Sequence, residues 1–356
     1  MNFTLFGYPK TGKTTLFNLL TGAKIEVKSY DQSKKEPNAR TCPVPDSRLD
    51  DLSQIFPEKE KIPAQIDYID LAGISYGEIK NESYLDYLRK ADGLTHVVRK
   101  FKNIQVPHHK EKIDAIADIR SIEEEIILAD LVSVENRLGK LEQELKKVKS
   151  SEGEREKEIL EFIKQNLEKG IPIRHLDLKP AEDKLIRNFA FLSQKSLIHM
   201  INLDENEISL TETPEDIYSP ELTNTGVLAF CGKIESEILE LEGKDREMFM
   251  DEYGLKELSS SRFLKTSYDL LDVISFFTVG EEEVKSWTLK RNSTALTAAG
   301  KIHSDIEKGF IRAEVISWEK LLDCGSFQKA KKSGDLRLEG KEYLVQDGDV
   351  IYFRHT

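Results

Sequence analysis

The segment near the amino terminus reads Gly7-Tyr8-Pro9-Lys10-Thr11-Gly12-Lys13-Thr14. It matches G-x-x-x-x-G-K-[ST] at every fixed position, between a strand-like apolar run and a run with helical spacing. In such a loop, backbone N–H groups converge on phosphate oxygens, and the following helix points its positive dipole end at them. Lys13 would neutralise phosphate charge, and the Thr14 hydroxyl would ligate Mg²⁺. The residues predicted to surround the phosphates are Lys10, Thr11, Gly12, Lys13, Thr14 and Thr15.

Four further strand-like runs follow along the chain, at residues 65–70, 95–99, 196–201 and 227–230. The connections between them are long enough for crossovers, which favours a mainly parallel, doubly wound α/β sheet. Ligands of such sheets bind outside the carboxyl ends of the strands. The candidate motifs of this chain fall at those ends.

A long insertion between the runs at residues 95–99 and 196–201 carries a heptad pattern. Its apolar residues step alternately by four and three, with Lys and Glu between them: Ile127, Leu131, Val134, Leu138, Leu141, Leu145 and Val148. Such a seam is typical of paired helices. A second amphipathic run follows a break near residue 150. We predict an antiparallel helical hairpin over residues 112–178 that projects from the α/β domain. The alternative is an amphipathic helix lying flat on the sheet.

The pattern changes again after residue 272. Short β-like runs occur at residues 273–279, 342–345 and 350–353, and Asp347-Gly348 between the last two is a hairpin-turn signal. We therefore expect a small β-rich domain over residues 273–356. The remaining residues, 1–111 and 179–272, are assigned to the α/β domain.

The composition limits the classes of partner. The 356 residues include 52 Lys and Arg and 64 Asp and Glu, a formal net charge of −12. Residues 273–356 contain 13 charges of each sign, so the acidic excess lies before them. This balance argues against general binding to DNA or to an anionic membrane. Three widely spaced cysteines disfavour a disulfide framework and a zinc site. Because neither a membrane-length apolar run nor a signal-like start occurs, we expect a cytoplasmic protein.

Two segments at strand ends are candidates for the rest of a nucleotide site. Asp70, followed by Leu-Ala-Gly, would hold Mg²⁺ across from Thr14. Ile74 stands where GTPases carry a water-orienting Gln, so hydrolysis should be slow or should use another group. Asn202-Leu203-Asp204-Glu205 replaces the Asn-Lys-x-Asp that recognises guanine, and an Asn side chain can pair with an adenine edge. ATP is therefore at least as favoured as GTP.

Six segments together form a recognisable combination: the phosphate loop and residues 43–50 (Pro-Val-Pro-Asp-Ser-Arg-Leu-Asp), 70–73, 96–99, 202–205 and 298–314. Together they resemble the YchF/Obg-like ATPase family, nearly end to end. The resemblance implies a P-loop NTPase domain, an inserted coiled coil and a C-terminal β-grasp-like TGS domain. It also implies a Mg²⁺-dependent ATPase that binds ribosomes or ribosomal RNA. By the same resemblance, Asn202 and Leu203 would contact the base, beside Glu205 and the Cys231-Gly232 turn.

Two positions depart from the pattern of that family. The family carries Asn where Lys10 stands, and that Asn is associated with a potassium ion beside the phosphates. We hypothesise that the Lys10 ammonium replaces the ion and acts with Lys13 on transition-state charge. The alternative is a Lys10 that points to solvent. The switch I threonine of the family would fall at Lys34, which cannot ligate Mg²⁺, and Ser33 is the candidate substitute.

Other functions stay open at this point. The chain could be a GTPase on the same scaffold, or a nucleotide-binding adaptor with little hydrolysis. His108, His109 and His303 have no second ligand at a suitable spacing, which favours structural or surface roles. Two basic groups are candidates for contact with RNA phosphates or are simply solvated: Lys329, Lys331, Lys332, Arg337 and Lys341, and Lys140, Lys146, Lys147 and Lys149.

Overall fold

The computed structural model describes residues 1–26, 36–107, 112–148, 150–220 and 224–356. Within them the strands are β1 (Asn2–Phe6), β2 (Asn38–Pro43), β3 (Glu60–Ile62), β4 (Gln65–Asp70), β5 (Gly93–Arg99), β6 (Ser196–Asn202), β7 (Thr225–Phe230), β8 (Val273–Val279), β9 (Glu283–Lys290), β10 (Phe310–Ser317), β11 (Arg337–Glu339) and β12 (Asp349–His355).

The α-helices of the described residues are α1 (Lys13–Thr21), α2 (Ser47–Ile55), α3 (Glu82–Lys90), α4 (Ala115–Lys147), α5 (Ser151–Leu167), α6 (Pro180–Ile186), α7 (Gly232–Leu239), α8 (Gly243–Glu252), α9 (Ser259–Leu271), α10 (Ala295–Ile302), α11 (Ser304–Lys308), α12 (Trp318–Cys324) and α13 (Phe327–Ser333). None of these helices combines the length and the apolar character needed to cross a bilayer.

The first sheet contains six strands in the order β2-β4-β1-β5-β6-β7. β1 pairs in parallel with β4 and β5, and parallel pairing continues through β6 to β7. Helical crossovers join these strands, so the predicted doubly wound, mainly parallel sheet is confirmed. The register aligns Arg99 with Asn202 and Asn202 with Phe230. The last residues of β5, β6 and β7 therefore lie side by side at one edge of the sheet.

Helix α4 has two halves with different partners. In its first half, Ile122 and Ile126 are buried in the core that packs on the first sheet. In its second half, the seam residues packed against Leu160 and the rest of α5 run from Ile127 to Leu145. The first half therefore matches the alternative of a helix on the sheet, and the second half matches the predicted helical hairpin. The seam ends earlier than expected, because Val148 follows the helix and is 71% exposed.

The chain divides into two compact units. The larger unit contains Asn2–Arg40 and Asp67–Leu270, and the smaller contains Met1, Thr41–Ile66 and Leu271–Thr356. The sequence analysis assigned residues 41–66 to the α/β domain, whereas here α2 and β3 group with the C-terminal residues. Within the smaller unit β3 pairs in parallel with β9, and Arg48 of α2 bridges Asp46 and Asp347.

The second sheet has the strand order β11-β10-β12-β8-β9-β3 and forms a mixed sheet with helices α10 to α13. The predicted run at 273–279 is β8, and the run at 350–353 lies within β12. The predicted strand at 342–345 and its hairpin turn are wrong. Leu344 makes one isolated bridge with Thr294, and the Asp347 carboxylate accepts from the Ser275 N–H. The turn residues thus bind a neighbouring strand and do not close a hairpin.

Candidate nucleotide-binding site

The loop between β1 and α1 has the backbone that its glycines predict. Gly7 has φ 135°, Gly12 has φ 100°, and Lys10 between them has φ 61°. These values lie in the region that glycine enters freely and that other residues rarely adopt. A Cβ atom at Gly12 would also lie 2.2 Å from the Nδ2 atom of Asn202. Gly12 is therefore required both by the turn and by the close approach of that side chain.

Lys13 begins α1 and its side chain folds back over the loop. The Nζ atom donates to the Tyr8 carbonyl at 2.7 Å and to the Gly7 carbonyl at 3.2 Å. Burial lowers the pKa of Lys13 to about 8, although the nearby Asp70 carboxylate acts in the opposite direction. The loop thus holds a desolvated amino group among carbonyl oxygens. An anionic phosphate beside it would favour the charged form.

Thr14 and Asp70, the two predicted metal ligands, are in direct contact. The Thr14 hydroxyl donates to Oδ2 of Asp70 at 2.8 Å, and the side-chain amide of Asn38 on β2 donates to the same oxygen at 3.2 Å. The second oxygen, Oδ1, is buried and has no hydrogen-bond partner among the described residues. Burial raises the pKa of Asp70. A hydroxyl beside a carboxylate with an unpartnered oxygen fits the oxygen donors that Mg²⁺ prefers.

Asn202 ends β6 and joins the phosphate loop to the turn after β7. Its Nδ2 donates to the Thr11 carbonyl at 3.1 Å, and its Oδ1 accepts from the Gly232 N–H at 3.1 Å. Its backbone carbonyl accepts from the N–H groups of Lys100 and Phe101. In this structure the side chain predicted to read the base therefore makes two hydrogen bonds that hold neighbouring loops together.

A cavity of about 600 Å³ opens beside Asn202. It brings the predicted base-side residues together with three of the predicted phosphate-loop residues: Asn202, Leu203, Glu205, Cys231 and Gly232, with Lys10, Gly12 and Thr15. Leu203 and Cys231 are buried, and burial raises the pKa of the Cys231 thiol. The Glu205 carboxylate accepts from the Lys233 ammonium at 2.6 Å.

Several residues that line this cavity were not predicted from the sequence. They come from three segments: Asn18 of α1; Phe101, Lys102, Asn103, Gln105 and Val106 after β5; and Lys233, Ser236 and Glu237 of α7. Asn38, beside Asp70, was not predicted either. The loop after β5 could have been inferred from its position, because it follows the carboxyl end of a parallel strand next to β6. Nothing local to Asn38 indicates its contact.

Other candidates lie elsewhere. Five of the candidates lie outside the described residues: Ser33, Lys34, His108, His109 and Lys149. The side chain of His303 accepts from the Asp305 N–H and caps α11, which agrees with a structural role. Among the described residues, no group of three or more His, Cys, Asp or Glu side chains is arranged to hold a metal ion.

The phosphate loop, the Asp70 carboxylate and the adjoining cavity define a P-loop nucleotide-binding protein with a GTPase-like α/β sheet. Residues 2–164 match the family model MMR_HSR1, described as a 50S ribosome-binding GTPase. Residues 273–356 match the family model YchF-GTPase_C, described as a protein of unknown function.

Curated relatives extend over nearly the whole chain. "Ribosome-binding ATPase YchF" of Bacillus subtilis (strain 168) is 39% identical over 359 residues, covering 98% of each chain. The protein of the same name from Haemophilus influenzae is 38% identical over 357 residues, again 98% of each. The solved Schizosaccharomyces pombe YchF GTPase has a TM-score of 0.82 at 26% identity, covering 99% of this chain and 97% of that one. This chain belongs to the YchF family.

The buried Lys13 predicts how triphosphate binding depends on pH. Its pKa is about 8 without ligand, and a bound phosphate anion raises that pKa. Above pH 8 binding therefore takes up a proton, and affinity should fall by up to about tenfold per pH unit as the pH rises. Titration with a fluorescent ATP analogue between pH 7 and 9.5 measures this. The Lys13→Met variant should bind weakly with no such slope. Equal slopes in both proteins would contradict the assignment.

Proposed function

We propose that this chain is a Mg²⁺-dependent P-loop ATPase with slow turnover that associates with ribosomes. The observation that carries the proposal is the contact between Thr14 and Asp70 at the phosphate loop, together with the cavity that the same loop lines. The curated relatives named ribosome-binding ATPases support the activity and the partner.

At the phosphate end, the chain supplies charge and backbone donors. The Lys13 ammonium leaves the carbonyls of Gly7 and Tyr8 and neutralises phosphate charge, while the N–H groups of residues 10–15 surround the phosphate oxygens. Thr14 and Asp70 would hold Mg²⁺, which when bound supplies charge stabilisation on the β and γ phosphates. Asn38 orients the Asp70 carboxylate by donating to its Oδ2 atom.

At the base end, the proposal favours ATP over GTP. In GTPases an Asp carboxylate accepts from two guanine donors, whereas Glu205 has a longer side chain that here accepts from Lys233. The proposed base contacts are Asn202 and Leu203, beside the Cys231-Gly232 turn. Asn202 also fixes the distance between the base side and the phosphate loop through its contact with Thr11.

Slow turnover follows from the residue next to Gly73. Ile74 is 5% exposed and packs in an apolar core with Phe6, Ile79 and Leu85. An aliphatic side chain in that place offers no hydrogen bond to an attacking water. The proposed catalytic groups are therefore cations, Lys13 and Lys10. Lys10 lies within the phosphate loop, has a positive φ and lines the cavity.

The ribosome contact is proposed for exposed lysines. Lys329, Lys331 and Lys332 lie on α13, and all three are exposed, whereas Arg337 is bonded to Tyr343 and Glu339. Lys146 and Lys147 at the end of α4 form a second exposed pair. Exposed cations of this kind suit contact with phosphates of ribosomal RNA.

The metal role of Asp70 gives the first test. Asp70→Asn should lower Mg²⁺-dependent phosphate release from ATP by about 100-fold, because the carboxylate charge on the metal is lost. Asp67→Asn, on the exposed face of the same strand, is the matched control and should match the wild type. Competition between ATP and GTP is measured on the same samples. If the wild type prefers GTP, the GTPase alternative is favoured. If the wild type releases phosphate no faster than Lys13→Ala, the alternative of a nucleotide-binding adaptor with little hydrolysis is favoured.

The proposed role of Lys10 predicts the response to monovalent ions. Because a built-in ammonium takes the place of the ion, phosphate release should be equal in NaCl and KCl. Lys10→Asn restores the residue of the family and should create stimulation by K⁺. Strong K⁺ stimulation of the wild type would refute the role, and an unchanged rate in Lys10→Asn in both salts would indicate a solvated Lys10.

Ribosome association is tested by co-sedimentation over a range of salt concentrations. Lys331→Gln with Lys332→Gln should reduce the slope of log affinity against log salt by about 2, one for each lost phosphate contact. Lys301→Gln with Lys308→Gln removes two exposed lysines of α10 and α11 and should leave the slope unchanged. A slope that stays the same in both double variants would exclude the α13 contact, and the Lys146 and Lys147 pair would then be tested likewise.

A further inference from the structure

We infer that Arg99 is a positioning residue for the base side of the nucleotide site. It holds the loop of residues 101–107, which forms one wall of the cavity beside Asn202. The inference rests on the proposed nucleotide binding and adds a residue that touches neither phosphate nor metal ligand. Its mechanism is the ordering of a loop by one buried guanidinium.

Arg99 is the last residue of β5 and is 1% exposed. Among the described residues, the hydrogen-bond acceptors of its guanidinium are all backbone carbonyls. Nε donates to Phe101 at 3.2 Å, Nη2 to Val106 at 2.9 Å and to Asn103 at 3.4 Å, and Nη1 to Pro107 at 3.5 Å. Four carbonyls of one seven-residue loop therefore converge on a single side chain.

Only arginine suits this arrangement. Its planar fork has five N–H donors that point in fixed directions, whereas a lysine ammonium is a compact group with three donors. A buried charge is costly unless its donors are satisfied, so the guanidinium and the loop carbonyls stabilise each other. Without the fork, the loop would lose its common anchor.

The anchored loop faces the cavity. Phe101 lines it, and the Arg99 guanidinium carbon lies 4.4 Å from the centre of the Phe101 ring. The other lining residues of the loop are Lys102, Asn103, Gln105 and Val106. A cation over an aromatic face is attractive, so Arg99 also orients the ring.

The same loop is joined to the predicted base-reading segment. The Phe101 N–H donates to the Asn202 carbonyl at 3.0 Å, and the Lys102 N–H donates to the Asp204 carboxylate at 3.1 Å. Arg99 itself is paired with Asn202 in the register of β5 and β6. The loop wall and the residues proposed to contact the base are thus joined by direct hydrogen bonds.

The test separates base binding from phosphate binding. In Arg99→Lys, affinity for Mg-ATP should fall about tenfold, which corresponds to about 1.4 kcal/mol, while affinity for inorganic tripolyphosphate stays within twofold. Arg174→Lys is the matched control. Arg174 is also buried, and its partners Glu123, Ser193 and Thr225 lie outside the cavity lining. It should keep the wild-type ratio of the two affinities.

A second variant keeps the inference falsifiable should Arg99→Lys fold poorly. Phe101→Leu keeps an apolar side chain at a half-buried position but removes the aromatic ring. It should also lower the affinity for ATP without lowering the affinity for tripolyphosphate. The double variant should lose little beyond the larger single loss, because both residues act through one wall. Equal losses for ATP and tripolyphosphate, or additive losses, would overturn the inference. A wild type that binds tripolyphosphate but no purine triphosphate would instead refute the proposed function.

Discussion

The side-chain amide of Asn202 holds the two halves of the site together. It donates to the Thr11 carbonyl of the phosphate loop and accepts from the Gly232 N–H at the start of α7. An amide can donate and accept in one plane, and leaving a buried partner unpaired costs about 1–3 kcal/mol. The amide fits because residue 12 is glycine, since a Cβ there would lie 2.2 Å from Nδ2. The separation between the phosphate loop and the base-side cavity depends on this contact.

The phosphate end combines two buried ionisable groups whose environment favours their neutral forms. Burial lowers the pKa of Lys13 and raises the pKa of Asp70. Lys13 donates to backbone carbonyls, and Asp70 accepts from Thr14 and Asn38. These hydrogen bonds offset only part of the free-energy cost of desolvating the two groups. A phosphate beside the ammonium and a divalent cation beside the carboxylate would reverse both shifts. Ligand binding at such a site offsets a cost that the fold already carries.

Two elements continue from this site into other parts of the chain. Asn38 lies in β2 and Asp70 ends β4, and residues 41–66 between them group with the C-terminal residues. Helix α4 begins in the core of the first sheet and ends in the hairpin with α5.

The amino-acid sequence by itself determined the phosphate loop, the parallel sheet and the helical seam. Each is encoded by short-range patterns: fixed glycine positions, apolar runs of strand length, and steps of three and four. Tertiary structure alone decided the double contact of Asn202, the loop anchored by Arg99, the position of Asn38 and the partner of residues 41–66. Thr11 and Asn202 are 191 residues apart, and Asn38 and Asp70 are 32 residues apart, so no local periodicity encodes these contacts. The partners of Arg99 are only two to eight residues away, but they lie in an irregular loop that no periodicity describes. For the same reason the segment 342–345 resembled a strand, although its hydrogen-bonding partners lie elsewhere in the fold.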